Sequence, residues 1–157
     1  MENIIEIKDY CKKIKGSEVL KDINLTLRGG NVYGLKGKNG SGKTMLMRAV
    51  CGLISPTSGS IVINGETLGK QISFPRSVGA LIENPAFIPG YTGLKNLEVL
   101  ADIQKKIGRS EICETLCKVG LDCNDKRTYR KYSLGMKQRL GIAAAVMESP
   151  DIVILDE

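Results

Sequence analysis

"GKNGSGKT", residues 37–44, is the stretch that decides how this chain folds. It fits the pattern G-x-x-x-x-G-K-[ST], in which each fixed position serves the gripping of phosphate. Gly37, Gly40 and Gly42 lack a Cβ, so the backbone can curl and aim successive N–H groups at phosphate oxygens. Lys38, Asn39 and Ser41 complete the cradle. Lys43 brings a cation to the β- and γ-oxygens, and the Thr44 hydroxyl can ligate Mg²⁺. The flanks agree: "NVYGL", residues 31–35, reads as a strand, and "MLMRAVCGL", residues 45–53, as a helix. The positive N-terminal end of that helix adds to the anion site. The expected ligands are a nucleoside triphosphate and Mg²⁺.

A phosphate loop of this kind needs a second anchor for the metal, commonly a carboxylate ending an apolar strand. "SPDIVILDE", residues 149–157, has that form: Ile152, Val153, Ile154 and Leu155 run into Asp156 and Glu157. Asp156 is expected to hold Mg²⁺ through water. Glu157 is then placed to polarise the attacking water as general base.

Composition sets the frame. The 157 residues are 42% apolar and 25% charged, which suits one globular domain with a real core. No stretch approaches the ~20 apolar residues of a membrane span, and "MENIIEIKDY" carries acids where a signal peptide would be basic and apolar. Five cysteines, an odd number, and no histidine argue against a disulfide framework or a zinc site and for reduced thiols in a cytosolic setting. Cys113 and Cys117, four apart on a helix, read as small core residues. The net charge of +6 is dispersed. Its densest group, Lys126, Arg127, Arg130 and Lys131, lacks interleaved aromatics, so a solvated face is expected and nucleic-acid binding is not.

Along the chain, "IIEIKDY" (4–10) and "DINLTL" (22–27) alternate like strands, and Asn64-Gly65 marks a hairpin inside "SGSIVINGETL". From Thr92 a helical face gathers Leu94, Leu97, Leu100, Ile103 and Ile107. Ser110 is the expected cap of a second helix that Gly120 ends. Ser133 caps a third helix, stopped before Pro150.

The run "KYSLGMKQRLGIAAAVMESPDIVILDE", residues 131–157, resembles the signature region of ATP-binding cassette (ABC) ATPases. In that family an L-S-G-G-Q-like pentapeptide opens a helix shortly before the acidic strand. Here it reads Tyr132-Ser133-Leu134-Gly135-Met136, with Ser133 and Gly135 matching and three positions departing. The resemblance covers residues 3 to 157. It implies an α/β P-loop NTPase (RecA-like) core, formed by residues 1–85 and 137–157 with an antiparallel β subdomain, and a helical subdomain over 86–136. It also implies that Ser133 and Gly135 face the γ-phosphate held by a second copy in a head-to-tail dimer. A separate transmembrane permease would then move the cargo, with the ATPase peripheral on the cytoplasmic face of the cell membrane.

Two departures narrow the subfamily. Where the family carries a glutamine, this chain has Glu83, in "VGALIENPAFIPGYTGLKNL"; that and "SLGMKQRLGIA" look like bacitracin and lantibiotic resistance exporters. Glu83 is then a candidate metal ligand and transmitter to the membrane subunit, a solvated loop acid being the alternative. The family's adenine-stacking aromatic falls on Ile14, with Tyr10 four residues earlier as the other candidate. The family also continues past the acidic strand into a strand lying between it and the phosphate-loop strand. Without it those two strands would stand about 9–10 Å apart, so the fold is expected to be incomplete at the C-terminus and the chain an N-terminal fragment with little turnover. A non-transport cassette ATPase acting on nucleic acid or ribosomes is the second functional reading.

Overall fold

The computed structural model describes residues 4–156. The chain forms two compact units, Met1–Arg76 and Ser77–Glu157.

In the first unit, β1 (Ile4–Ile14), β2 (Ser17–Arg28), β3 (Ser58–Ile63) and β4 (Glu66–Thr67) form a sheet ordered β2-β1-β3-β4, antiparallel throughout. Two tight turns set its register. Lys15 (φ +48°) and Gly16 (φ +83°) join β1 to β2, and Asn64 (φ +50°) and Gly65 (φ +83°) join β3 to β4. Two successive positive φ values give the backbone twist that antiparallel neighbours need, so the Asn64-Gly65 hairpin forms as expected. Asn64 also ties the turn to β1: its Oδ1 accepts from the Ile4 N–H at 2.8 Å and its own N–H donates to the Ile4 carbonyl at 2.9 Å. Ile7, Tyr10, Leu20, Ile61 and Ile63 are buried. So are Ala49 and Val50 of α1 (Lys43–Val50).

Residues 31–38 depart from expectation. They form no strand, and among the described residues no ladder reaches them. Val32 is fully exposed, Tyr33 and Leu35 are 47% and 39% exposed, and the Tyr33 hydroxyl caps the end of β2 by accepting from the Arg28 N–H at 2.9 Å. An apolar run can enter a sheet only when a neighbouring strand offers its N–H and C=O groups.

In the second unit, β5 (Val78–Leu81) pairs in parallel with β6 (Ile152–Leu155), Val78 opposite Ile152 and Leu81 opposite Leu155. Three helices accompany them: α2 (Gly93–Gln104), α3 (Arg109–Lys118) and α4 (Leu134–Val146). Leu94 and Leu97 of α2, Ile112 and Leu116 of α3, and Leu140 of α4 close the core with Tyr129 and Tyr132. The strand β6 is only half buried; Val153 and Leu155 are each 45% exposed.

Three helical expectations are corrected. Ile103 lies about 180° round the helix from Leu94 and is 76% exposed, Ala101 taking the buried position instead. Lys105, at φ +55°, ends α2, so Ile107 reaches the core from a loop. Ser110 is inside α3 rather than its cap: Gly108 is the N-cap, and Glu111 Oε2 accepts from its N–H at 3.1 Å. A carboxylate in the first turn satisfies an orphan donor and suits the helix dipole. Of the two spaced cysteines, Cys113 packs against the core while Cys117 faces solvent.

Candidate functional site

The 37–44 loop leads straight into α1, whose N-cap is Gly42 at φ +92°. This left-handed conformation is open to glycine and strained for other residues. There is a steric reason too: a β-carbon on Gly42 would fall 2.8 Å from the Val19 carbonyl oxygen and 2.9 Å from Leu20 Cδ2. The loop must therefore press closely onto β2. Gly40 is also left-handed, at φ +79°, but faces open space. A turn closed by the Ser41 N–H on the Lys38 carbonyl, 3.1 Å, shapes the loop tip.

Lys43 folds back across this loop. Its Nζ donates to the Gly37 carbonyl at 2.9 Å and to the Lys38 carbonyl at 3.2 Å. The ammonium is thus held at the loop it belongs to, and a strong anion in the loop would meet a fixed positive charge. The N-terminal end of α1 receives no side-chain cap, and its first turn holds no acid. A free helix start of positive polarity, a glycine-bent loop and an anchored lysine together fit a polyphosphate. Lys38, Asn39 and Ser41 are exposed along the same loop, and Thr44, the expected magnesium ligand, is the second residue of α1.

Tyr10 cannot stack on a base. It is 1% exposed and its hydroxyl donates to the Ile54 carbonyl at 3.3 Å. Burial also raises its pKa. Ile14, 39% exposed beside the Lys15-Gly16 turn, remains the open apolar candidate. A cavity of about 210 Å³ lies elsewhere in this unit, among Tyr10, Ala49, Ile61 and Phe74. Its lining carries no carboxylate, amine or guanidinium.

In the second unit, Asp156 directly follows β6 and is nearly buried, with 9% exposure. Its N–H donates to the Leu81 carbonyl at 2.8 Å, extending the parallel ladder by one step and fixing where the carboxylate leaves the strand. Glu157 lies outside the described residues. Glu83 is exposed on the loop after β5 at φ +64°, an uncommon conformation for a residue with a side chain. Ser133 is the N-cap of α4: its Oγ accepts from the Met136 N–H at 3.2 Å, and its carbonyl from the Lys137 N–H at 3.0 Å. Gly135, one residue into the helix, has open space where a β-carbon would stand. The helix start is thus formed around the serine, as the sequence leads one to expect.

Sequence reasoning passed over two residues that shape the loop between Glu83 and α2. Asn96, 3% exposed, accepts from the Ile88 N–H at 2.8 Å and donates to the Ile88 and Thr92 carbonyls at 3.2 and 3.0 Å. Tyr129 donates its hydroxyl to the Pro85 carbonyl at 2.7 Å and its N–H to the Tyr91 carbonyl at 2.8 Å. The available signal was an asparagine on the apolar face of α2, one residue before Leu97. A polar group there must find partners. The basic group at 126–131 is exposed as expected, and Arg127 is committed to Asp125 by a two-point ion pair that holds the Asp125 carboxyl below its usual range.

A sequence profile described as ABC transporter matches residues 20–157. Among curated proteins, the uncharacterized ABC transporter ATP-binding protein YybJ of Bacillus subtilis (strain 168) is 51% identical over 154 residues, which is 98% of this chain and 71% of the relative. The bacitracin transport ATP-binding protein BcrA of Enterococcus faecalis is 40% identical over 100% of this chain and 51% of its own length. This chain therefore spans about half the length of some of the curated relatives it matches. A solved structure described as an ABC transporter ATP-binding protein from Pyrococcus furiosus superposes with a TM-score of 0.84 at 26% identity, covering 98% of this chain and 74% of that one. The mixed α/β ATPase fold with an antiparallel β subdomain and a helical insertion is thereby shown. This chain belongs to the ABC transporter family.

Proposed function

We propose that the chain is the nucleotide-binding part of an ATP-hydrolysing subunit that powers an ABC transporter. The observation that carries this is Lys43, pinned over the Gly37–Thr44 loop ahead of an uncapped helix. In this reading the loop N–H groups from Lys38 to Thr44 and the Lys43 ammonium bind the phosphates of ATP. Thr44 and Asp156 hold Mg²⁺, and Glu83 completes or orients that shell. When bound, Mg²⁺ draws charge from the phosphate oxygens and stabilises the transfer step. Glu157 takes a proton from the attacking water. Ile14 offers the adenine an apolar face without ring stacking, so base discrimination is loose. Ser133, Gly135 and the α4 N-terminus contact the γ-phosphate held by a second copy, and the two copies associate head-to-tail.

The wider reading draws support from the relatives' names. A separate permease subunit is the proposed membrane partner, a reading that draws on the family's name as a transporter. The ATPase then lies peripherally on the cytoplasmic face. The bacitracin transport relative, together with Glu83 and "SLGMKQRLGIA", supports export of peptide antibiotics. The subdomain boundaries at 85–86 and 136–137 belong to this proposal as well.

The test uses the full-length protein. Glu157→Gln removes the base, and steady-state ATP turnover should fall at least about 100-fold while Mg·ATP binding persists. Unchanged turnover would remove Glu157 from the chemistry. Growth protection against bacitracin or a lantibiotic, lost with Glu83→Gln, would support the cargo class. Undiminished protection would detach Glu83 from coupling.

A further inference from the structure

We propose that Tyr129 is a positioning residue for ATP hydrolysis, holding the short span that carries Glu83 in place against Asp156 and α4. The role rests on the reading of Glu83 as part of the magnesium shell. Three residues, Ile82, Glu83 and Asn84, join Leu81 at the end of β5 to Pro85. Both ends of this span are fixed. The Leu81 carbonyl accepts from the Asp156 N–H at 2.8 Å, and the Pro85 carbonyl accepts from the Tyr129 hydroxyl at 2.7 Å. Both ends also rest on one point of α4: a β-carbon on Gly141 would fall 2.9 Å from Leu81 Cδ1 and 2.9 Å from Pro85 Cβ. The near end is therefore tied to the backbone of Asp156, and the far end to Tyr129.

The span passes a shift at either end on to Glu83. Pro85 locks its own φ and disfavours helical backbone at Asn84. Glu83 itself stands at φ +64°. Such a conformation costs energy and persists only where the surroundings enforce it.

Tyr129 is held by contacts that do not need its hydroxyl. It is 7% exposed, and its N–H donates to the Tyr91 carbonyl at 2.8 Å. Its ring meets Phe87 edge-on with centroids 5.3 Å apart, and the Lys137 ammonium stands 5.2 Å from the ring centroid. The next residue, Arg130, donates its N–H to the Pro89 carbonyl at 3.0 Å. Tyr129→Phe thus removes the hold on Pro85 and leaves the ring packed.

The test uses the full-length protein as wild type, Tyr129→Phe, Glu83→Gln and the double variant, with turnover measured across ATP and Mg²⁺ concentrations. Tyr129→Phe should lower kcat about 3- to 10-fold, the worth of one hydrogen bond. It should raise the Mg²⁺ concentration for half-maximal turnover and leave KM for ATP at saturating Mg²⁺ unchanged, because the 37–44 loop is untouched. Added to Glu83→Gln it should cause no further loss, whereas a merely structural defect would multiply. Wild-type kcat and Mg²⁺ dependence in Tyr129→Phe, losses that multiply in full, or wild-type turnover in Glu83→Gln overturns the proposal. Absence of wild-type turnover refutes the function proposed above, and this role with it. Hydrogen exchange over residues 82–92 reads the anchor apart from turnover: it should quicken in Tyr129→Phe, and unchanged exchange overturns the proposal.

Discussion

A β-carbon placed on Gly42 would approach the Val19 carbonyl oxygen to 2.8 Å, so the start of α1 and the strand β2 meet at a distance that only glycine permits. Gly40, two residues earlier, shares the left-handed backbone, but a β-carbon there would meet nothing within 4 Å. The pair separates strain from clash. Gly40→Ala should cost about 1–2 kcal/mol of stability from backbone conformation alone. Gly42→Ala adds a collision with immobile backbone and should cost at least about 1 kcal/mol more. Urea unfolding of both variants checks the order.

Asn96 is the polar staple of the loop before α2. Removing its side chain in Asn96→Ala takes the acceptor from the Ile88 N–H and should cost about 1–3 kcal/mol, while the Ile88 and Thr92 carbonyls keep their backbone donors, the Tyr91 and Asn96 N–H groups. Asn96→Asp keeps the acceptor but loses both donors, of which protonation restores one. A buried carboxyl has a raised pKa, so its contribution is present at low pH and lost as pH rises. Thermal unfolding of Asn96→Asp should show higher stability at pH 5 than at pH 8; the reverse order would refute the buried staple.

The Cys51 thiol is pushed up to about 11 by burial. The folded state then holds a proton that the unfolded chain releases near pH 9, so stability from this group is complete below pH 9 and declines up to about pH 11. The same burial shields the sulfur. A thiol reagent at pH 8 should label exposed Cys117 at once and Cys51 only on unfolding, as timed labelling with peptide mapping will show.

Thr92 and Ser133 each place a hydroxyl oxygen over the first turn of a helix, accepting from Lys95 and Met136 at 3.1 and 3.2 Å. Replacing either with Ala should cost about 0.5–2 kcal/mol. If Ser133 also serves nucleotide in the paired state, Ser133→Ala should reduce ATP turnover of the full-length protein beyond what Thr92→Ala does. Equal turnover in the two variants would leave Ser133 a cap alone.

What could be read from the sequence was set by chemistry within a few residues. The Gly37–Thr44 loop, the Asn64-Gly65 turn and the Ser133 cap each follow from a local backbone demand that few residue types meet. What failed depends on distant partners. The run at 31–35 has the apolar character of a strand, but a ladder requires a second strand, and none of the described ones reaches it. β5 went unread for the converse reason: "VGAL" is four residues long, and only its pairing with β6 makes it a strand. Ile103 was misplaced because apolar spacing of three drifts round a 3.6-residue helix. Asn96 and Tyr129 serve a loop that the sequence does not show to be folded. Exposure likewise separated Tyr10 from Ile14, which pattern alone left as alternatives.

The most direct measurement is a titration of this chain with fluorescent or radiolabelled Mg·ATP, wild type beside Lys43→Ala. Lys43 is half-buried, and far-UV circular dichroism checks that its removal leaves the fold intact. Loss of a charged hydrogen-bond donor to phosphate should weaken binding by about 10- to 100-fold. Saturable uptake by the wild type and its loss in the folded variant is the predicted result. No uptake by the wild type, or equal uptake by both, would contradict the account.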